Sequence, residues 1–331
     1  MNAAIEDWRQ RAEQAALLGN MEQEIAARQE LATRSMAAGD GAGARAALDR
    51  TLVLARQLGD IDEEGRTLYA LALLQQRIAP QGGAARRLLE EAEQAARKGG
   101  DLPFLARVLD KRAGLMIAEG KPLQAAKLLN DVAALHGTCG DEDARLDVLR
   151  RLAMTLQMAG KPSEAFDILL DALAESKASP AQLVRARLEL HLLARGTGIE
   201  GESLQQLLDE AVADGDVGAA GYIRLQMAAD ALQGGDPVGG EAHADAARRD
   251  ALDCLDAILY LNACLMIAEA REARGDRVGM LTILFTCKAS LQDLLGEQGA
   301  RPVLALIHSL EQRWGPEDFG AALEQYRAQF R

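Results

Sequence analysis

Glycine followed by a residue that starts a helix recurs through the first half of this chain at nearly constant spacing. Breaks of one kind fall at Gly39-Asp40, Ala79-Pro80, Gly120-Lys121-Pro122 and Gly160-Lys161-Pro162. Breaks of a second kind fall at Gly59-Asp60, Gly99-Gly100-Asp101, Gly140-Asp141 and about residue 178, and both series step by about 40 residues. Glycine ends a helix because it has no Cβ to clash in the left-handed region, aspartate caps the next helix, and proline fits its first turn. Between breaks the apolar residues keep the helical period. Residues 141–177 show it best: Leu149, Leu152, Ala153 and Leu156 stand at i, i+3, i+4 and i+7, and Ala165, Leu169 and Ala172 form the inner face of the following helix. Small residues sit where the two helices would cross, so the axes approach closely. The pattern predicts a repeated hairpin of antiparallel helices.

The composition agrees with a stack of such hairpins. The chain has 331 residues and only 11 aromatics, which exceeds what one globular core normally holds. A stack needs little aromatic filler because each repeat packs only on its neighbours. Cys139, Cys254, Cys264 and Cys287 are far apart and form no metal-ligand spacing, so they read as buried, reduced thiols of a cytoplasmic protein. The start, MNAAIEDWRQRAEQ, is not a signal peptide, and no apolar run approaches ~18 residues, so no membrane span is expected. A formal charge of −13 disfavours nucleic acid as a partner, because phosphates are repelled on average.

Taken in order, residues 3–18 form a helix carrying Trp8, stopped at Gly19-Asn20, and the regular hairpins follow. Past residue 178 the pattern loosens. A helix from about 181 to 194 leads into RGTGIEGES, residues 195–203, the longest break, which reads either as a hinge between two sub-stacks or as an insertion in one repeat. A short helix to Ala213, the turn Gly215-Asp216 and a pair split by Gly234-Gly235-Asp236-Pro237 come next. Then one helix is expected from about Leu252 to Arg274, a turn at Gly275-Asp276, and a helix to Leu295, with two last helices flanking Trp314-Gly315-Pro316. The count is roughly seventeen helices and no convincing strand. The organisation expected is an N-terminal capping helix (1–20), regular repeats (21–195), the break (196–203), and degenerate repeats with a C-terminal cap (204–331). Trp8 and Trp314 are expected to cover the two ends of the core, or else to form a homo-oligomer contact.

The repeat resembles the tetratricopeptide family, in a longer form with a period near 40 instead of ~34. Ala153, Gly160, Ala165, Leu169 and Ala172 match best; Ala113, Gly120, Ala125 and Leu129 match one repeat earlier, and Ala32, Gly39, Ala44 and Leu48 at the start. Between them Ala72 fits, with Ala84 or Ala85 in the second-helix place. The family's large first-helix residues are mostly replaced by smaller aliphatics. The resemblance implies an all-α fold, a right-handed superhelical solenoid of antiparallel hairpins.

Catalytic and metal chemistry find little support in the residues. His136, His191, His243 and His308 are scattered, and His243-Ala244-Asp245 reads as a solvated helix face. Asp141-Glu142-Asp143 opens a helix, where acids favour the positive end. The glycine-rich spots lack a P-loop Lys-Ser/Thr, and Arg274-Gly275-Asp276 falls where the repeat demands a turn. No enzyme, metal site or cofactor is expected.

Surface recognition remains. In tetratricopeptide stacks the first helix of each pair lines a concave face that receives peptides or partner helices. By register, the resemblance implies groove residues Arg66, Tyr69 and Arg77 in one repeat and Arg107 and Asp110 in the next. The following repeat adds Asp147, Arg150, Met154, Gln157 and Met158. Arg66, Arg107 and Arg150 then form a basic track; alternatively they pair with neighbouring acids such as Glu63, Asp110 and Asp147. The family's lysine–asparagine clamp for a carboxylate tail is absent, since Asn2, Asn20, Asn130 and Asn262 fall outside that pattern. The leading expectation is a scaffold or adaptor holding an acidic or amphipathic protein segment in the groove. The alternative is a regulatory protein that senses a ligand or peptide.

Overall fold

In a computed structural model that describes residues 2–79, 83–197 and 202–329, the chain is built from helices alone among those residues. There are seventeen. The first nine are α1 (Asn2–Leu17), α2 (Met21–Ala37), α3 (Gly41–Leu58), α4 (Ile61–Ile78), α5 (Gly83–Gly99), α6 (Leu102–Ala118), α7 (Pro122–Cys139), α8 (Glu142–Met158) and α9 (Pro162–Glu175). The rest are α10 (Pro180–Thr197), α11 (Leu204–Ala213), α12 (Val217–Gln233), α13 (Pro237–Asp253), α14 (Ala257–Ala273), α15 (Arg277–Leu295), α16 (Glu297–Trp314) and α17 (Pro316–Ala328). They form two compact units, residues 1–178 and 179–331. Within each, every helix packs on the next, as antiparallel hairpins do.

One two-residue device recurs at six of the turns. At Gly39-Asp40 the glycine holds φ +79°, and the Asp40 N–H reaches back to the Ser35 carbonyl at 2.8 Å, so orphan carbonyls at the end of α2 are satisfied. The Asp40 carboxylate then accepts from the Gly43 N–H at 2.8 Å and caps α3. The same pair of bonds recurs at Asp60, Asp141, Asp216, Asp236 and Asp276, each after a left-handed glycine. Each cap contributes about 1 kcal/mol.

The core is made of leucine and alanine. In the first unit Leu54, Leu68, Leu109, Leu129, Leu146 and Leu169 are fully buried, and Ala44, Ala92, Ala113, Ala125, Ala153 and Ala165 sit between them. Each buried leucine contributes about 1.5–3 kcal/mol. Close approach is enforced in the second unit as well, where a Cβ on Gly221 of α12 would lie 2.5 Å from the Leu259 side chain of α14. The two tryptophans lie in the first helix and in the last helix but one. Trp8 packs on the cluster of Ile5, Leu31 and Ala32, and Trp314 packs on that of Val303, Leu310 and Phe319.

Two expectations need correction. The single helix expected from about Leu252 is broken at 254–256: α13 ends at Asp253 and α14 begins at Ala257. Leu255 takes the left-handed conformation there, φ +56°, so the turn exists without its glycine and left no local signal. A leucine in that region costs roughly 1–2 kcal/mol. Cys264 and Cys287 are buried, but Cys139 and Cys254 are exposed, because both lie at the ends of helices beside turns. Among the described residues α15 is long and apolar enough to cross a membrane by length and composition. Its Met280, Leu281, Leu284, Cys287 and Leu291 lie in the core cluster of the second unit. Of the break at 195–203, residues 198–201 lie outside the described residues, as do Pro80, Gln81 and Gly82 after Ala79.

Candidate functional site

The residues assigned to the groove lie on α4, α6 and α8, the first helices of three successive hairpins. Polar contacts join each first helix to the next. Between α2 and α4, Gln29 donates to the Glu63 carboxylate at 2.5 Å, and the Thr67 hydroxyl donates to the same oxygen at 2.8 Å. Between α4 and α6, Arg66 stands 3.7 Å from Asp101, the residue that caps α6 through the Phe104 N–H. Between α6 and α8, Arg151 pairs with Asp110 at 2.5 Å.

At the middle of this ladder is an aromatic junction. Tyr69 meets Phe104 edge to face at a centroid distance of 5.9 Å, and the Arg107 guanidinium lies 5.5 Å from the Phe104 ring. Burial pushes the Tyr69 phenol above its ordinary value; the positive Arg107 opposes that shift and the negative Asp110 adds to it. Tyr69, Arg107 and Asp110 are therefore brought together. Phe104 holds them: its ring is buried, stands at 79° to the tyrosine ring, and presents a face to the cation.

The other assigned residues are placed differently. Arg150 is half-buried and pairs with Asp147 of its own helix at 3.4 Å. Arg66 is exposed apart from its pair with Asp101, and exposed pairs of this kind contribute about 0–1 kcal/mol. Met154, Gln157 and Met158 are exposed along α8, beginning three residues past Arg151. Arg77 is exposed at the last turn of α4, away from the aromatic junction. The isolated acidic motifs have local partners: Asp141 caps α8, Glu142 pairs with Arg145, and Asp245 pairs with Arg248 and Arg249.

Sequence reasoning missed two participants and one cleft. Phe104 and Arg151 escaped because each became important only through a neighbouring helix. The cleft, about 560 Å³, opens between the second helices α5 and α7 over α6, and Arg86, Arg87, Arg112, Lys121 and Lys127 line it. Arg86 and Lys121 share Glu119, and Arg112 pairs with Glu93, so much of that charge is already compensated. The Arg86-Arg87 doublet was its only signal in the chain. Among the described residues no three histidine, cysteine or acidic side chains converge as metal ligands would.

The first-helix face thus offers an aromatic ring, a guanidinium, carboxylates and two exposed thioethers over three adjacent helices. No family model matches the chain, and no curated protein matches it in sequence. Solved structures do match. One is a signal transduction ATPase with numerous domains and a tetratricopeptide repeat sensor, from Pyrococcus horikoshii. It is 13% identical with a TM-score of 0.51, over 99% of this chain and 55% of that one. BtubC from P. vanneervenii is 17% identical with a TM-score of 0.49, over 77% of this chain and 92% of that one. The quorum sensor NprR from B. thuringiensis, in its apo form, is 14% identical with a TM-score of 0.46, over 94% and 83%. With its repeated hairpins of alternating first and second helices, the chain has the tetratricopeptide-like fold.

Proposed function

We propose that this protein is a non-catalytic cytoplasmic scaffold that holds a segment of a partner protein against the first helices of residues 21–178. The observation that carries this reading is the junction of Tyr69, Phe104 and Arg107, continued by Asp110 and Arg151 and flanked by exposed Met154 and Met158. Arginine and tyrosine most often dominate interface energetics, and methionine adapts to the apolar side chains it meets. Arg107 has no acidic partner among the described residues, so its charge is free for an acidic group on the incoming segment. An acidic or amphipathic segment fits: its acids meet Arg107 and Arg66, and its apolar side chains meet Tyr69 and the methionines. All four cysteines are free thiols, in keeping with a reducing compartment.

The test is quantitative affinity capture from the source cells with wild type and with Arg107→Glu/Tyr69→Ala, followed by calorimetric titration of the protein captured. The variant should lose about 30-fold or more in affinity, a hot-spot effect, while its melting temperature stays nearly unchanged. Added salt should weaken the wild-type complex. Equal affinity in the two proteins overturns the reading.

A further inference from the structure

The turn between α13 and α14 departs from its neighbours in the repeat. Leu255 is the one non-glycine residue at positive φ among the described residues, and it stands where the adjoining turns carry Gly235 and Gly275. It is also 84% exposed. A glycine at this place would relieve the backbone and remove an apolar side chain from water. The fold therefore gains nothing from leucine here, and strain of this kind marks function.

Leu255 has company. Leu252 and Ile258, three residues to either side, are exposed as well, Ile258 by 68%. Helices alternate in direction, so the α11–α12 and α15–α16 turns lie on the same edge of this unit. The Tyr222 hydroxyl, near the start of α12, donates to Asp256 at 2.9 Å, and the Tyr260 hydroxyl pairs with Ser290 near the end of α15 at 3.0 Å. These bonds set the three turns side by side. At the outer two, Val212 and the Leu294-Leu295 doublet are exposed.

Acids are interleaved with these apolar tips. Asp214, Asp253 and Asp293 are exposed, one at each turn, and none has a cation partner among the described residues. Two cations of the adjoining helices are engaged elsewhere: Arg185 pairs with Asp216, and Arg249 with Asp245. An anionic membrane would be repelled by this edge. A second copy of the chain would bring the same aspartates face to face.

We propose that the α11–α12, α13–α14 and α15–α16 turns form a docking edge for a basic amphipathic segment of another protein. Its aliphatic side chains seat on Leu252, Leu255 and Ile258, and its lysines or arginines face the three aspartates. This edge belongs to the second unit and is independent of the first-helix face, so either can fail without the other.

The experiment uses the full chain and a fluorescein-labelled peptide of leucine and lysine at helical spacing, followed by anisotropy. Leu255→Gly changes no charge, so general attraction of the peptide to an acidic protein is common to wild type and variant. The variant should bind about tenfold more weakly, yet melt about 4 °C higher because the left-handed strain is gone. Leu255→Asn, whose side chain tolerates the left-handed region, should show the same loss of binding. Unchanged affinity in both Leu255 variants overturns the proposal, as does equal binding of a leucine–glutamate peptide. Self-association of wild type abolished by Leu255→Gly, or binding of anionic vesicles through this edge, also overturns it.

Discussion

The Tyr222 hydroxyl of α12 donates a 2.9 Å hydrogen bond to Asp256, the carboxylate that also accepts from the Ile258 and Leu259 N–H groups at the start of α14. One acid thus ends a turn, caps a helix and ties it to a helix of the preceding hairpin. Burial, with the Asp256 charge beside it, pushes the Tyr222 phenol up to about 12. The raised value favours the protonated phenol in the folded state. Its contribution to stability is fully present below the ordinary tyrosine value of 10.0 and is lost as pH rises toward about 12. Melting followed between those limits should show wild type losing more stability than Tyr222→Phe, and a parallel loss in both would refute this assignment.

Glu24 is buried on α2 and accepts from two arginines, Arg28 at 2.8 Å and Arg50 at 2.9 and 3.2 Å. The hydrogen bonds from Arg50, followed by those from Arg28, hold its carboxyl below the ordinary value of 4.5 despite burial. The folded form is therefore favoured by ionisation. That stability is present above pH 4.5 and disappears as pH falls through the lower folded value. Glu24→Ala should cost about 2–3 kcal/mol at neutral pH, modest for a buried pair because both arginines reach water. Denaturant titration at pH 7 and pH 3 checks it: the deficit should shrink in acid.

Ala153 of α8 is 1% exposed, and α8 packs on α9, where Ala165 is wholly buried. No space exists there for an indole. Ala153→Trp should destabilise by about 3 kcal/mol, at the upper end for overpacking, and a thermal melt unchanged from wild type would contradict the packing described.

The last helix closes the second unit. Phe319 and Ala322 of α17 are buried in the same cluster as Val303, Leu310 and Cys287, and Tyr326 stacks on Phe285 at 4.9 Å. A chain ending after Gly315 should expose that apolar surface, lower the melting temperature and aggregate on light scattering. If it stays soluble with an unchanged melt, α17 is an appendage.

The turns were legible because their causes are local. A left-handed glycine and an aspartate that closes one helix and caps the next act within a few residues, so Gly39-Asp40, Gly59-Asp60, Gly140-Asp141 and Gly275-Asp276 mark real helix ends. The apolar period showed in the same way which faces would be buried, as Leu152, Ala153, Ala165 and Leu169 now are. Where the local signal was missing, at Cys254-Leu255-Asp256, the turn escaped notice.

The chain by itself thus determined the helix hairpins, their repeat and the alanine–leucine core, since each follows from hydrogen bonds and packing at short sequence separation. Tertiary structure alone decided which charges meet between helices. Arg150 and Arg151 are neighbours in sequence, yet Arg150 pairs with Asp147 on its own helix while Arg151 reaches Asp110 on α6. Phe104 became the hub for Tyr69 and Arg107 for the same reason. Those choices depend on how far and at what angle one first helix lies from the next, and the spacing of residues within a single helix does not contain that distance.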